Sequence, residues 1–111
     1  MTNTDEICEV KLTGQPGELD RYTKQLADCI VMTKDGEYLM QKRPNTWRTF
    51  PGCVCFFGGH VEPGETPLQA IMRELEEELG AKPRAEDVTF IAAVTEADTN
   101  HTELVHMFAW H

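Results

Sequence analysis

The spacing of apolar residues predicts one amphipathic helix in the middle of the chain. Thr66 suits the N-cap, Pro67 the first helical position and Gln69 the reciprocal place in a capping box. Gly80 suits the left-handed cap that ends many helices. The sequence therefore predicts a helix over residues 67–79. Its apolar stripe, which would face a core, consists of Leu68, Ile71, Met72, Leu75 and Leu79.

Short apolar runs on both sides of this helix predict strands. Before the helix they occupy residues 5–12, 25–33, 38–43 and 53–57, with a hairpin turn at 34–37 and a glycine turn from Gly58. After the helix they occupy 88–97 and 104–110. Strands followed by a helix and then by more strands predict an α/β fold, with a mixed sheet covered by the helix.

Length and charge narrow the class of protein. A chain of 111 residues is long enough for a single domain, 1–111, and its formal net charge of −9 disfavours nucleic acid or an anionic membrane as a partner. No apolar run reaches transmembrane length, and the first residues do not resemble a signal peptide, so we expect a cytoplasmic protein. Cys53 and Cys55 are expected to be small core residues rather than zinc or disulfide partners.

Three glutamates share a second face of the predicted helix. Glu74, Glu77 and Glu78 have the spacing of neighbours on one side. Such a face is usually only a hydrated surface, and repulsion between hydrated charges is too small to exclude that reading. However, Glu76, Glu77 and Glu78 occupy the last turn, where the negative end of the helix dipole opposes them. A cation would remove this repulsion, and oxygen ligands alone favour Mg²⁺ or Mn²⁺ over zinc.

The same residues carry a family resemblance. Gly59, then Glu65 after five residues, and Arg73-Glu74-Leu75-Glu76-Glu77-Glu78-Leu79-Gly80 after seven more resemble the Nudix box, here 59–81, of MutT-like Nudix hydrolases. Ala81 departs from the larger aliphatic residue that is usual there, and Phe57 stands where many members have proline. The resemblance implies a Nudix-type α/β/α sandwich.

It also implies site residues. Glu65, Arg73, Glu74, Glu77 and Glu78 would be catalytic, and the metal ligands would be Glu74, Glu77, Glu78 and the carbonyl of Gly58. Helical side chains lean toward the N-terminus, so we expect Arg73 to reach back to Glu65 and brace the loop. The general base stays open among Glu78, Glu96 and Glu103.

The implied reaction is hydrolysis, with Mg²⁺ or Mn²⁺, of a nucleoside diphosphate linked to another group. A nucleoside triphosphate is favoured as the small-molecule substrate, because ADP-ribose-cleaving members often carry a later proline than Pro83. A nucleotide-binding sensor without turnover is the alternative; isomerisation of a prenyl diphosphate would need further acid and base residues. Arg43, Trp47 and Phe50 are candidate substrate contacts, although a surface ion pair and buried loop anchors are the competing interpretations.

The resemblance also raises a question about the second face of the sheet. Nudix proteins usually continue with another main helix on that face, whereas this sequence stops at His111 without one. We therefore expect a fold that lacks the C-terminal helix in this chain. The sequence would then be C-terminally truncated, or a partner chain, as in a homodimer, would supply the cover.

Overall fold

The computed structural model describes residues 7–42 and 54–111. One α-helix, α1 (Pro67–Leu79), lies between six strands that precede it and two that follow it. Short 3-10 turns at Ala85–Asp87 and Ala97–Thr99 precede the last two strands. The strands are β1 (Ile7–Val10), β2 (Lys24–Met32), β3 (Tyr38–Leu39), β4 (Gln41–Lys42), β5 (Val54–Cys55), β6 (Phe57–His60), β7 (Val88–Glu96) and β8 (Glu103–Trp110).

The main sheet has six strands and mixed directions. Its order is β1-β7-β8-β2-β3, and β6 also pairs with β2. The pairing of β2 with β8 is parallel, whereas its pairings with β3 and β6 are antiparallel. Strands β4 and β5 form a separate antiparallel pair. The predicted mixed sheet is therefore confirmed. Strand β2 pairs with three other strands, β3, β6 and β8.

Helix α1 begins and ends as its sequence predicts. The Thr66 side chain accepts a hydrogen bond from the Gln69 amide, the Gln69 side chain accepts one from the Thr66 amide, and Gly80 takes the left-handed cap. The core between helix and sheet contains Ala27, Cys29, Val31, Phe57, Ala70, Ile71 and Leu75. The last position of the predicted stripe is an exception, because Leu79, the last residue of the helix, is 37% exposed.

The opposite face of the sheet carries Leu26, Asp28 and Ile30 of β2 beside Val105 and Met107 of β8. Side chains alternate between the two faces of a strand, so these residues point away from the core under α1. All five are only partly buried. Within residues 7–42 and 54–111, α1 is the only α-helix, in agreement with the single helix expected from the sequence.

Two predicted strands are wrong in detail. The run 38–43 is interrupted at Met40, and the run 53–57 is interrupted at Phe56. The glycine pair also belongs to a strand rather than to a turn, because Gly58 and Gly59 pair with Asp28 and Ala27 of β2. Pairing with β2 outweighs the low strand propensity of glycine here, and the turn comes later, at Pro63 and Gly64.

Candidate active site

A bidentate ion pair joins the loop after β6 to the middle of α1. Arg73 donates from Nε to Glu65 Oε2 over 2.8 Å and from Nη2 to Glu65 Oε1 over 3.0 Å. These hydrogen bonds hold the pKa of Glu65 down at about 2. The reach-back expected from the lean of helical side chains is thus present, and it fixes the loop against the helix.

The same guanidinium holds three further acceptors. Nη2 donates to the carbonyl oxygen of His60 over 3.0 Å, and Nη1 donates to Glu74 Oε1 over 2.9 Å and to Glu77 Oε2 over 3.3 Å. The surrounding carboxylates raise the pKa of Arg73, so it stays charged. Arg73 therefore ties the end of β6 to two of the predicted cation ligands.

The two strand glycines let carboxylates approach the backbone of β6. Glu78 Oε1 accepts a hydrogen bond from the Gly58 amide over 2.9 Å, and its Oε2 accepts one from Gln41 Nε2 over 2.8 Å. A methyl group on Gly59 would lie 2.5 Å from Glu74 Oε1. A methyl group on Gly58, whose φ is 152°, would clash with the Ala27 carbonyl and the Asp28 carboxyl. Only glycine fits at Gly58, where the clash is with backbone, whereas a side chain at Gly59 would displace the Glu74 carboxylate.

Glu74 and Glu78 line one cavity of about 470 Å³. Its other lining residues include both strand glycines, Gln41 and Asp28. The pKa of Glu78 is raised overall. Burial is the largest cause and the negative charges of Glu74 and Glu77 add to it, while hydrogen bonds from Gln41 and Gly58 lower the pKa in part. Two carboxylates and glycine backbone thus converge on one space.

The third glutamate points elsewhere. The Glu77 side chain is 56% exposed and is paired with Arg73. As the side chains lie, no three His, Cys, Asp or Glu residues in the described ranges are grouped closely enough to hold a metal ion. The ligand types nevertheless fit a hard divalent cation, because Glu74, Glu78 and the backbone of Gly58 offer only oxygen. The structure therefore brings together two of the three predicted glutamate ligands.

Asp28 is a residue of this cavity that sequence reasoning missed. It lies on β2 opposite Gly58, and no hydrogen-bond donor or cation among the described residues contacts its carboxyl. Burial, followed by the negative charges of Glu78, Glu96 and Glu74, raises the pKa of Asp28 to about 7. The available signal was a single charged residue inside the apolar run Leu-Ala-Asp-Cys-Ile-Val-Met.

A comparison with protein families gives the decisive observation. The model of the NUDIX domain matches residues 23–110, which include the strands, the glycine pair and the helix of the site. The chain belongs to the Nudix family. The resemblance to MutT-like Nudix hydrolases is thereby confirmed, and so is the Nudix-type fold.

Curated relatives of this Nudix chain include the nucleoside triphosphatase NudI of Salmonella agona. The two are 41% identical over 61 residues, which is 55% of this chain and 43% of NudI. The NudI proteins of Salmonella arizonae and Salmonella dublin match to the same extent. The chain thus spans less than half the length of the curated relatives it matches.

Solved structures show the same Nudix architecture. The MutT NUDIX hydrolase of Burkholderia pseudomallei is 27% identical, with a TM-score of 0.63 over 79% of this chain and 66% of that one. The MutT protein of Methanosarcina mazei is 23% identical, with a TM-score of 0.62 over 79% and 62% of the respective chains. The second likeness, at that identity, shows the fold alone.

The remaining predicted residues of the Nudix site divide into two groups. Glu96 and Glu103, candidates for the general base, line a neighbouring cavity together with Asp28. Arg43, Trp47 and Phe50, the candidate substrate contacts, lie outside the described residues, as does Cys53. No helix in the described part of the chain is long and apolar enough to cross a membrane.

Proposed function

We propose that this Nudix domain hydrolyses the pyrophosphate bond of a nucleoside triphosphate with the help of a divalent cation. The convergence of Glu74, Glu78 and the Gly58 backbone on one cavity is the observation that carries the proposal. The likeness to proteins named nucleoside triphosphatase supports the choice of substrate.

In this proposal Glu74, Glu78 and the carbonyl of Gly58 hold Mg²⁺ or Mn²⁺, and Glu77 contributes from the same side of α1. When bound, the cation supplies charge neutralisation for the phosphate oxygens and lowers the pKa of a water molecule. Arg73 and Glu65 do not touch the substrate. They keep α1 and β6 in register, which fixes the distance between the helix carboxylates and the strand backbone.

The reaction needs an acceptor for the proton of the attacking water. Water attacks phosphorus in line, the bond to the bridging oxygen breaks, and the products are two phosphate-containing fragments. Glu78 lies in the cation cavity, whereas Glu96 and Glu103 line the neighbouring one. Of the three candidates, Glu78 alone lines the cation cavity, and we propose that it is both a cation ligand and, through its second carboxylate oxygen, the acceptor of the proton.

The test is a panel of nucleoside triphosphates incubated with and without Mg²⁺, with chromatographic detection of monophosphate. We expect turnover with the cation, none in excess chelator, and a loss of at least about a hundredfold in kcat for Glu78→Gln. Glu37→Gln, an exposed residue of the β2–β3 turn, is the matched control and should remain active. Full activity in chelator would refute the cation requirement, and nucleotide binding without product would favour the sensor.

We also propose that the protein is cytoplasmic and that it forms a homodimer. Partly buried apolar residues on the face opposite α1, such as Ile30 and Met107, support association. Sedimentation analysis tests it, and a monomer at all accessible concentrations would contradict it.

A further inference from the structure

The proposed reaction site extends into a second lobe. The cavity of about 470 Å³ that holds Glu74 and Glu78 shares Leu26, Asp28 and Cys55 with a neighbouring cavity of about 320 Å³. Three shared wall residues make the two cavities lobes of one cleft. A substrate whose phosphates occupy the first lobe can extend into the second, which adjoins it.

The second lobe has the character of a small-molecule pocket. Leu26 of β2 and Val105 of β8, neighbours in the parallel pairing, form an apolar wall. Thr99, Glu96 and Glu103 supply polar groups around it. Its volume falls at the lower end of the roughly 300–1,000 Å³ range of ligand pockets, and an apolar wall with a few polar groups is typical of them. A planar, partly polar ring system such as a nucleobase matches this lining.

Asp28 stands where the two lobes meet. Its carboxyl lies over Gly58, the residue whose amide donates to Glu78, and Asp28 lines the second lobe together with Glu96. None of the buried side-chain oxygens among the described residues lacks a partner, so the half-buried Asp28 carboxyl still reaches solvent. A substrate N–H group at this place would replace the water that the carboxyl otherwise meets.

We propose that Asp28 determines base specificity, and that the cleft prefers a nucleotide whose base carries an exocyclic amino group. This inference rests on the proposed function, since it assumes that phosphates occupy the first lobe. A carboxyl oxygen accepts from an amino group, and Glu96 and Glu103 provide only further acceptors. Uracil, which has a carbonyl oxygen where cytosine has its amino group, would place one acceptor against another.

The test compares CTP with UTP, two substrates that differ at that ring position. With Mg²⁺ at about pH 8.5, where Asp28 is ionised, we expect kcat/KM to be at least roughly tenfold higher for CTP, the scale of one hydrogen bond to a charged group. In Asp28→Asn the side-chain amide both donates and accepts, so the ratio should fall to within about twofold. Asp35→Asn makes the same chemical change in the exposed β2–β3 turn and should keep the wild-type ratio.

The possible failures can be told apart. If no nucleotide is hydrolysed, the proposed function fails, and binding of methylene-bridged CTP and UTP analogues, measured by calorimetry, then decides the preference by itself. An Asp28→Asn variant that lowers kcat equally for both nucleotides would mean that Asp28 acts on the phosphates, and would overturn the inference. An unchanged CTP to UTP ratio would overturn it as well. The melting temperature of each variant reports whether it folds.

Discussion

At the scale of single residues, His106 shows how the core constrains a titratable group. It lies on β8, is 2% exposed, and its Nε2 is 3.0 Å from Gln25 Oε1 on the adjacent strand. Because Gln25 Oε1 can only accept, Nε2 is assigned as the donor. Burial lowers the pKa of His106, so the folded protein holds it neutral when an exposed histidine would be charged.

This burial predicts a loss of stability in mild acid. Below the ordinary histidine pKa of about 6.5, the unfolded chain takes up a proton that folded His106 does not. The contribution of neutral His106 to the free energy of unfolding is therefore complete above the unfolded-state pKa. It decreases as the pH falls toward the lower pKa that His106 has in the folded protein. Melting temperatures between pH 8 and pH 5 measure it. His106→Gln retains an N–H donor for Gln25 and does not titrate, so its decline should be shallower. Parallel curves would contradict the assignment.

The contrast between Glu65 and Asp28 shows which residues the sequence reveals. Glu65 and Arg73 are eight positions apart across a helix start, so local geometry was enough to predict their contact. Asp28 meets Gly58 only because β2 pairs with β6, 30 positions later in the chain. Sequence spacing carries no information about that pairing, and the single charged residue in an apolar strand was the only indication of it.

At the scale of elements, α1 has caps that stabilise the helix and a last turn with three glutamates that destabilises it. Its caps were predictable because each is formed by residues within one turn. The last turn of α1 has no basic residue, so Glu76, Glu77 and Glu78 oppose the negative end of the helix, and only Lys82 and Arg73, which lie outside that turn, pair with Glu76 and Glu77. The breaks at Met40 and Phe56 were not predictable, because strand ends depend on partners elsewhere in the sheet.

The double variant Glu77→Gln and Glu78→Gln tests what this last turn is for. Without metal, its stability should stay level or rise by a few tenths to about 1 kcal/mol, because repulsion with the helix end is relieved. The exposed pair of Glu77 with Arg73 and the hydrogen bond from Gln41 to Glu78, which are both lost, offset part of that gain. Added Mg²⁺ should no longer raise the melting temperature, since ligand stabilisation requires binding to the folded state.

Glu76→Gln is the matched control for that variant. Glu76 lies in the same turn, so its replacement relieves repulsion of the same kind with the helix end. Its side chain is exposed and pairs with Lys82, away from the proposed cation ligands. The stabilisation by Mg²⁺ should persist in this control. A double variant that still responds to Mg²⁺ as the wild type does would show that the cation binds elsewhere.

At the scale of the whole molecule, the sheet depends on one long-range parallel pairing. All eight residues of β8 pair with β2, although the two strands are 79 positions apart, and β8 also pairs with β7. Strand β8 therefore connects β1 and β7 to the half of the sheet that carries the site. The order of elements allowed a mixed sheet to be predicted, but not this order of strands, because many topologies satisfy the same sequence of elements.

Deletion of residues 103–111 should therefore abolish the cooperative unfolding transition. It would expose Ala27, Cys29 and Val31 along their whole edge and separate β7 from β2. Circular dichroism during thermal unfolding provides the measurement, and a chain shortened only by His111 is the control, since His111 follows the last strand. A sharp transition in the longer deletion would mean that β2, β6 and α1 fold without β8.

The parallel partnership of β2 and β8 also has a consequence for synthesis on the ribosome. Strand β2 is made before β8, its parallel neighbour in the sheet, and both the glycine pair and α1 are made in between. The hairpin of β2 with β3 and the capped helix can form while translation continues, because their contacts are local. The sheet edge of β2 that receives β8 stays open until residue 110 has left the exit tunnel. During that interval the nascent chain presents an unpaired apolar strand, which is the kind of segment that chaperones bind.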